Sequence, residues 1–177
     1  MTLEERDEII DRFRKLKSQA DRALAQVHGG ELFMQLDVEA NSIAVLMKHM
    51  AGNMRSRWTD VLTSDGEKPD RHRDQEFEIL SHEDEEEIFR QWEQGWQCLF
   101  NALEPLTAED LGRTIEIRGE PHSVPQAMVR QLSHYAEHVG QIVFLAKHLR
   151  SSEWQSLSIP RGRSEEVLAR MKQRLGK

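Results

Sequence analysis

The chain has 177 residues, 24 basic and 31 acidic, for a net charge of −7, and its length suits one domain over residues 1–177 with a core that needs no staples. Its single cysteine, Cys98, excludes an internal disulfide framework and a cysteine-rich zinc fold, and the acidic balance argues against nucleic acid, whose phosphates demand a basic surface. No apolar run exceeds the length of Ile142–Ala146, far short of the ~20 residues of a membrane span, and Met1-Thr2-Leu3-Glu4-Glu5-Arg6 has no apolar signal region, so a cytoplasmic protein with no membrane partner is expected. The charge is unevenly spread. Residues 147–177 hold eight basic and three acidic side chains, read as a solvated C-terminal helix rather than an anion-binding surface.

Residues 2–27 are predicted to form the first helix. Thr2 and Glu5 fit a capping box, Ile9, Phe13, Leu16, Ala20, Leu24 and Val27 share a face, and His28-Gly29-Gly30 ends it. Asn41 or Ser42 caps a second helix to about Leu62, with the stripe Ile43, Leu46, Met47, Met50, Met54, Trp58 and Val61. Thr63-Ser64-Asp65-Gly66 closes it, and the polar, mixed-charge stretch to about Leu80 is expected to be exposed and mobile. Ser81 is taken as the cap of a third helix over 82–104, whose inner face is Ile88, Trp92, Trp96, Leu99 and Leu103. The acidic run Glu83–Glu87 lies in its first turns, where carboxylates complement the helix dipole.

The period changes at Thr114-Ile115-Glu116-Ile117-Arg118, which alternates and is followed by Gly119, predicting a short extended segment or hairpin. Ser123 caps a fourth helix that tolerates Pro125 in its first turn and runs to about Arg150, and Ser164 and Glu165 open a short C-terminal helix. The fold class expected is all-α, a four-helix bundle. Trp92 and Trp96 suggest an aromatic face for a homodimer, since twofold contacts are the commonest soluble assembly.

The informative motif is on the fourth helix. His134 and His138 lie one turn apart, about 40° on the helix wheel. Val124, Ala127, Gln131, Tyr135, Ile142, Leu145 and Leu149 fall within roughly 60° of His138, so both imidazoles face the interior. An inward histidine is usually a satisfied core residue, and such pairs also arise by chance. Two neutral imidazoles together in a core are costlier, because each needs partners, and a shared metal ion supplies them. A third ligand is open among His28, His49, His72, His82, His122 and His148. His49, at the edge of the second helix's stripe near Leu46, Asn53 and Arg57, is permitted by geometry but not selected by it.

The segment Met47-Lys48-His49-Met50-Ala51-Gly52-Asn53, taken with His134-x-x-x-His138-Val139-Gly140-Gln141-Ile142, resembles the DinB/YfiT-like superfamily of four-helix-bundle metalloenzymes. Arg55–Asp60, Asp65–Pro69 and Ser158–Gly162 are similar to one bacterial branch of unknown function, and the likeness covers nearly the whole chain. The resemblance implies a divalent ion, nickel or zinc, on His49, His134 and His138. It also implies activities such as bacillithiol- or mycothiol-dependent transfer or isomerisation, with a low-molecular-weight thiol as cosubstrate.

Three neutral nitrogens leave coordination positions open, which is the catalytic rather than the structural arrangement. The expected function is therefore metal-assisted activation of a thiol or water toward a small-molecule substrate, transferase-like or hydrolase-like. The alternative is a non-catalytic metal- or ligand-binding bundle, or an interaction scaffold with a vestigial site. No residue stands out as a general base. Asn53, Arg57 and Gln131 are candidate pocket residues, Gln141 is a supporting or packing residue, Gly140 is expected to permit close helix approach, and Cys98 is expected on the outer face of the third helix as an inert surface thiol.

Overall fold

In the computed structural model, which describes residues 1–174 and 176, the helix starts follow their caps. Thr2 and Glu5 close a reciprocal capping box at the start of α1 (Leu3–Leu24), and the Ser42 hydroxyl accepts from the Val45 N–H at the start of α2 (Ile43–Trp58). α3 (Glu85–Leu103) is capped by Asp84, whose carboxylate accepts from the Glu87 N–H, and not by Ser81. A hairpin of β1 (Thr114–Ile117) and β2 (Glu120–Ser123) follows, antiparallel, with Ile115 and Ile117 turned into the core. Ser123 and Gln126 form the capping box of α4 (Val124–Arg150), and an exposed α5 (Ser164–Arg174) ends the described chain.

Two helices are shorter than their apolar periodicity suggests. α1 stops at Leu24 with Ala25 still in right-handed helical conformation, and Gly29 belongs to the following 3₁₀ turn (Gly29–Phe33) instead of a helix cap. α2 stops at Trp58 because the chain turns through Asp60 at φ 48°. Val61 keeps its place in the core without being helical.

The molecule is mostly helical. α1 packs on α4, α2 on α3, and α2 also touches α4. Trp92, Trp96 and Tyr135 are fully buried at the centre, and the Trp92 indole N–H donates to Asp21 of α1. The two tryptophans are therefore consumed internally, and the aromatic face expected to serve a homodimer lies inside the molecule. Cys98 is half-buried against α2, near the Met54 carbonyl and 3.5 Å from the Thr59 hydroxyl, so it is not on an outer face.

α2 is not the one-sided amphipathic helix that its stripe suggests. Every residue of it except Arg55 is buried, Lys48, His49, Asn53, Ser56 and Arg57 included. On one side Gly95 of α3 meets Ala51 so closely that a Cβ at Gly95 would lie 2.8 Å from the Ala51 Cα. On another side the stretch after α2 folds back over it. That stretch, expected to be exposed and mobile, carries a 3₁₀ turn (Arg73–Phe77) whose Glu76 is buried on α2. The glycine of α2 that faces it is Gly52, where a Cβ would collide with the Glu76 carboxylate. Gly140, by contrast, is exposed and faces open space, so it does not mediate helix approach. Among the described residues no helix is long and apolar enough to cross a membrane.

The connection is held at both ends. The Lys48 ammonium is enclosed between Glu83, at 2.6 Å, and the Glu78 carbonyl, at 2.7 Å. Burial alone would raise the Glu83 carboxyl, but donation from Lys48, the Leu80 N–H and Gln91 holds it below its ordinary value. At the other end Asp65 accepts from the N–H groups of Glu67, Arg118 and Gly119, which fastens the loop to the hairpin turn. Removing one partner of a buried pair leaves an uncompensated charge, so Glu83→Ala is expected to cost about 3 kcal/mol in denaturant unfolding. A lowered folded-state value contributes stability that is present above the unfolded glutamate range and lost as pH falls through the folded value. The acid limb of wild-type unfolding should contain this term and that of Glu83→Gln should not.

Candidate metal centre

α2 and α4 meet with three imidazoles between them. His49 is buried, His134 and His138 are half-buried, and one nitrogen of each lies within 4.8 Å of the others. The ring centroids are 4.5 Å apart for His134 and His138, 5.0 Å for His49 and His138, and 5.6 Å for His49 and His134. The rings meet edge to face. The helical pair follows from its i,i+4 spacing on the inner face of α4. His49 is added by the contact of α2 with α4. His72, His82, His28 and His148 are exposed and His122 is on the hairpin, and none of them belongs to this group.

Hydrogen bonds orient two of the rings. Glu76 Oε2 sits 2.9 Å from His49 Nδ1. The same carboxylate accepts from Arg71 twice, Nε to Oε1 and Nη2 to Oε2, both at 2.8 Å. Burial would raise Glu76, but Arg71 and His49 together hold it below the usual carboxylate range. An ionised Glu76 is an acceptor only, so His49 Nδ1 donates to it, and in the neutral ring this tautomer leaves Nε2 free to accept. On α4 the Gln141 side-chain oxygen lies 2.9 Å from His138 Nδ1, with the same consequence. His134 Nε2 is different, being buried with no hydrogen-bond partner among the described residues. A buried, unpartnered imidazole nitrogen is costly unless something binds it.

Burial pushes His134 down to about 4, and the neighbouring His138 and His49 push in the same direction. His138 is also lowered, first by burial, against the opposing hydrogen bond from Gln141. These two rings are therefore neutral at pH 7, the protonation state a metal ligand requires.

Asn53 and Gln131 line the same cleft but are engaged with each other. Gln131 Nε2 donates to Asn53 Oδ1 at 2.5 Å, the Tyr135 hydroxyl donates to Asn53 Oδ1 at 3.0 Å, and the Trp58 indole N–H donates to the Tyr135 oxygen at 3.2 Å. This network walls the centre and offers no free base. Arg57 also lines the cleft, donating to the Gly66 carbonyl and, at 3.0 Å, to Glu67. The cleft has a volume of about 440 Å³ and reaches His49 and His134. Sequence reasoning missed Glu76 and Arg71, which come from a stretch with no periodicity. The signal within reach was Gly52, since a glycine inside a helix costs ~1 kcal/mol and needs a packing reason.

The chain belongs to the family described as "Protein of unknown function (DUF1572)", matched over residues 4–163. No curated protein matches it significantly.

The depressed His134 value has a measurable sign. An unfolded chain takes up this proton near 6.5, whereas the folded metal-free protein does so only near 4. The stability conferred by the neutral ring is thus present above pH 6.5 and lost as pH falls from 6.5 to about 4. Nitrogen chemical shifts of His134 in the metal-free protein should stay those of a neutral ring at pH 5.5, and His134→Ala should flatten the slope of unfolding free energy across that window.

Proposed function

We propose that this protein is a divalent-metal-dependent enzyme, built as a four-helix bundle of the DinB type, in which His49, His134 and His138 hold one ion for the activation of a thiol or water. The observation that carries this reading is the buried, unpartnered Nε2 of His134 within a set of three converging imidazoles. Imidazole donors suit zinc and nickel. A divalent ion held there would lower the pKa of a bound water or take up a thiolate, giving a nucleophile near neutral pH.

The chain's own groups prepare for this. Glu76 and Gln141 select the tautomers of His49 and His138, and the Glu76–His49 contact is the carboxylate–histidine arrangement that orients metal ligands. The Asn53–Gln131–Tyr135 network keeps one wall rigid. Among the described residues three protein ligands converge, and a cleft opens beside them, which favours a reactive centre over a closed structural one. The substrate of this reading is a small molecule, with a low-molecular-weight thiol as cosubstrate in the transferase version and water in the hydrolase version.

Metal analysis of protein purified without a histidine tag and loaded with nickel or zinc tests the proposal. One ion per chain and a raised Tm are expected, because a ligand that binds only the native state adds to folding free energy. His134→Ala and His138→Ala should lose the ion and the gain, and His72→Ala should keep both. Glu76→Gln should keep the stoichiometry and weaken affinity about 10- to 100-fold. A wild-type protein that holds no ion after loading would overturn the reading.

A further inference from the structure

The cleft beside the histidines is lined by five arginines, although the chain as a whole carries a net charge of −7. They arrive from separate parts of the fold. Arg57 comes from α2, Arg71 and Arg73 from the loop after it, Arg118 from the hairpin turn and Arg130 from α4. Two carboxylates answer three of them. Glu67 accepts from Arg57 at 3.0 Å, Arg71 at 3.3 Å and Arg118 at 2.8 Å, and Glu76 takes the remaining donors of Arg71.

The other two are answered weakly or not at all. Among the described residues no carboxylate lies within 4.0 Å of Arg130, whose one side-chain bond is to Gln131 Oε1 at 2.9 Å. Arg73 has only Asp74 at 3.9 Å and rests 5.0 Å over the Phe77 ring. Glu137, exposed, is the one carboxylate in the lining itself. Deeper in, Arg57 is 3% exposed and its Nε is buried without a hydrogen-bond partner. Burial, with the charges of Arg71 and Arg118, pulls Arg57 below its ordinary value against Glu67, as suits a cation short of counter-charge. Five guanidiniums against Glu67, Glu76, Glu137 and the loosely paired Asp74 leave an excess of positive charge facing one cavity.

We infer that the substrate of this centre is an oxyanion, its carboxylate or phosphate group held by Arg130 and Arg73 at the mouth and by Arg57 deeper, beside the three histidines. The inference rests on the proposed metal centre for its chemistry but not for its binding. Planar guanidinium forks match carboxylate and phosphate, and charge-assisted bonds of this kind are roughly twice as strong as neutral ones. The arginines would also raise the local concentration of anions at the cleft, an effect that salt screens.

The test is calorimetric titration of the full chain, metal-free and metal-loaded, with inorganic phosphate and with succinate at low ionic strength. Metal-free wild type is expected to bind at least one of the two, more weakly as salt rises. Arg130→Ala and Arg73→Ala should each weaken binding about tenfold. Both residues are exposed, so these variants should keep the wild-type unfolding midpoint. Arg90→Ala, on the outer face of α3, should bind as wild type does. Preference for phosphate would mark a phosphate ester as substrate and preference for succinate a carboxylic acid. His138→Ala separates the two readings, since it should lose the metal and keep the anion. If neither anion binds the metal-free wild type, or if the Arg130 and Arg73 variants bind unchanged, the inference is overturned whether or not the chain holds a metal.

Discussion

The carboxylate of Glu76 is enclosed between a helix and a loop, with Arg71 on two of its lone pairs and His49 Nδ1 on a third. Its burial costs desolvation that only these donors offset, so the three side chains stand or fall as a unit. Gly52 is what admits it, since any side chain at that point of α2 would occupy the carboxylate's space. From this one contact follow the tautomer of His49, the docking of the Arg73–Phe77 turn and the position of two of the cleft's arginines. An isolated pair of histidines on α4 thereby becomes a three-ring centre.

The same logic explains why α2 is so polar for a helix buried on all sides. Lys48 is satisfied by Glu83 and the Glu78 carbonyl, Ser56 by the Gly66 carbonyl, Arg57 by Gly66 and Glu67, and Asn53 by Gln131 and Tyr135. The Lys48, Ser56 and Arg57 bonds run to the connection after α2 and the Asn53 bonds to α4, so the helix acts as the spine to which these two segments are fastened. Buried polar groups that are fully paired favour one arrangement, because any slip strands a charge. Among the described residues His134 Nε2, Arg57 Nε and the Trp96 indole Nε1 break this rule; the first two residues line the cleft and Trp96 lies in the core.

Local signals in the sequence carried the elements well. The caps at Thr2, Ser42 and Ser123, the alternation at Thr114–Ile117 and the inward spacing of His134 and His138 all report on neighbours within a turn or a hairpin, and these were legible. What failed depended on distant partners. The stretch after α2 is charged and aperiodic, which reads as a solvated loop unless its carboxylate is known to meet a histidine 27 positions earlier. Trp92 and Trp96 read as a large face, and only the packing of α1 and α2 around α3 shows that this face is already covered. Cys98 was misplaced for a similar reason, because the close approach at Gly95 brings α2 over that side of α3. His49 could not be chosen from spacing alone, and the resemblance to the DinB/YfiT-like superfamily supplied it.

The central claim is that three imidazoles of one chain share one ion. X-ray absorption at the metal edge of the nickel- or zinc-loaded protein tests it most directly. The account predicts, in protein loaded without added thiol, three imidazole nitrogens at about 2.0–2.1 Å with the remaining positions filled by water oxygen. A shell dominated by carboxylate oxygens or holding the sulfur of Cys98, or a protein that retains no ion to measure, would contradict it.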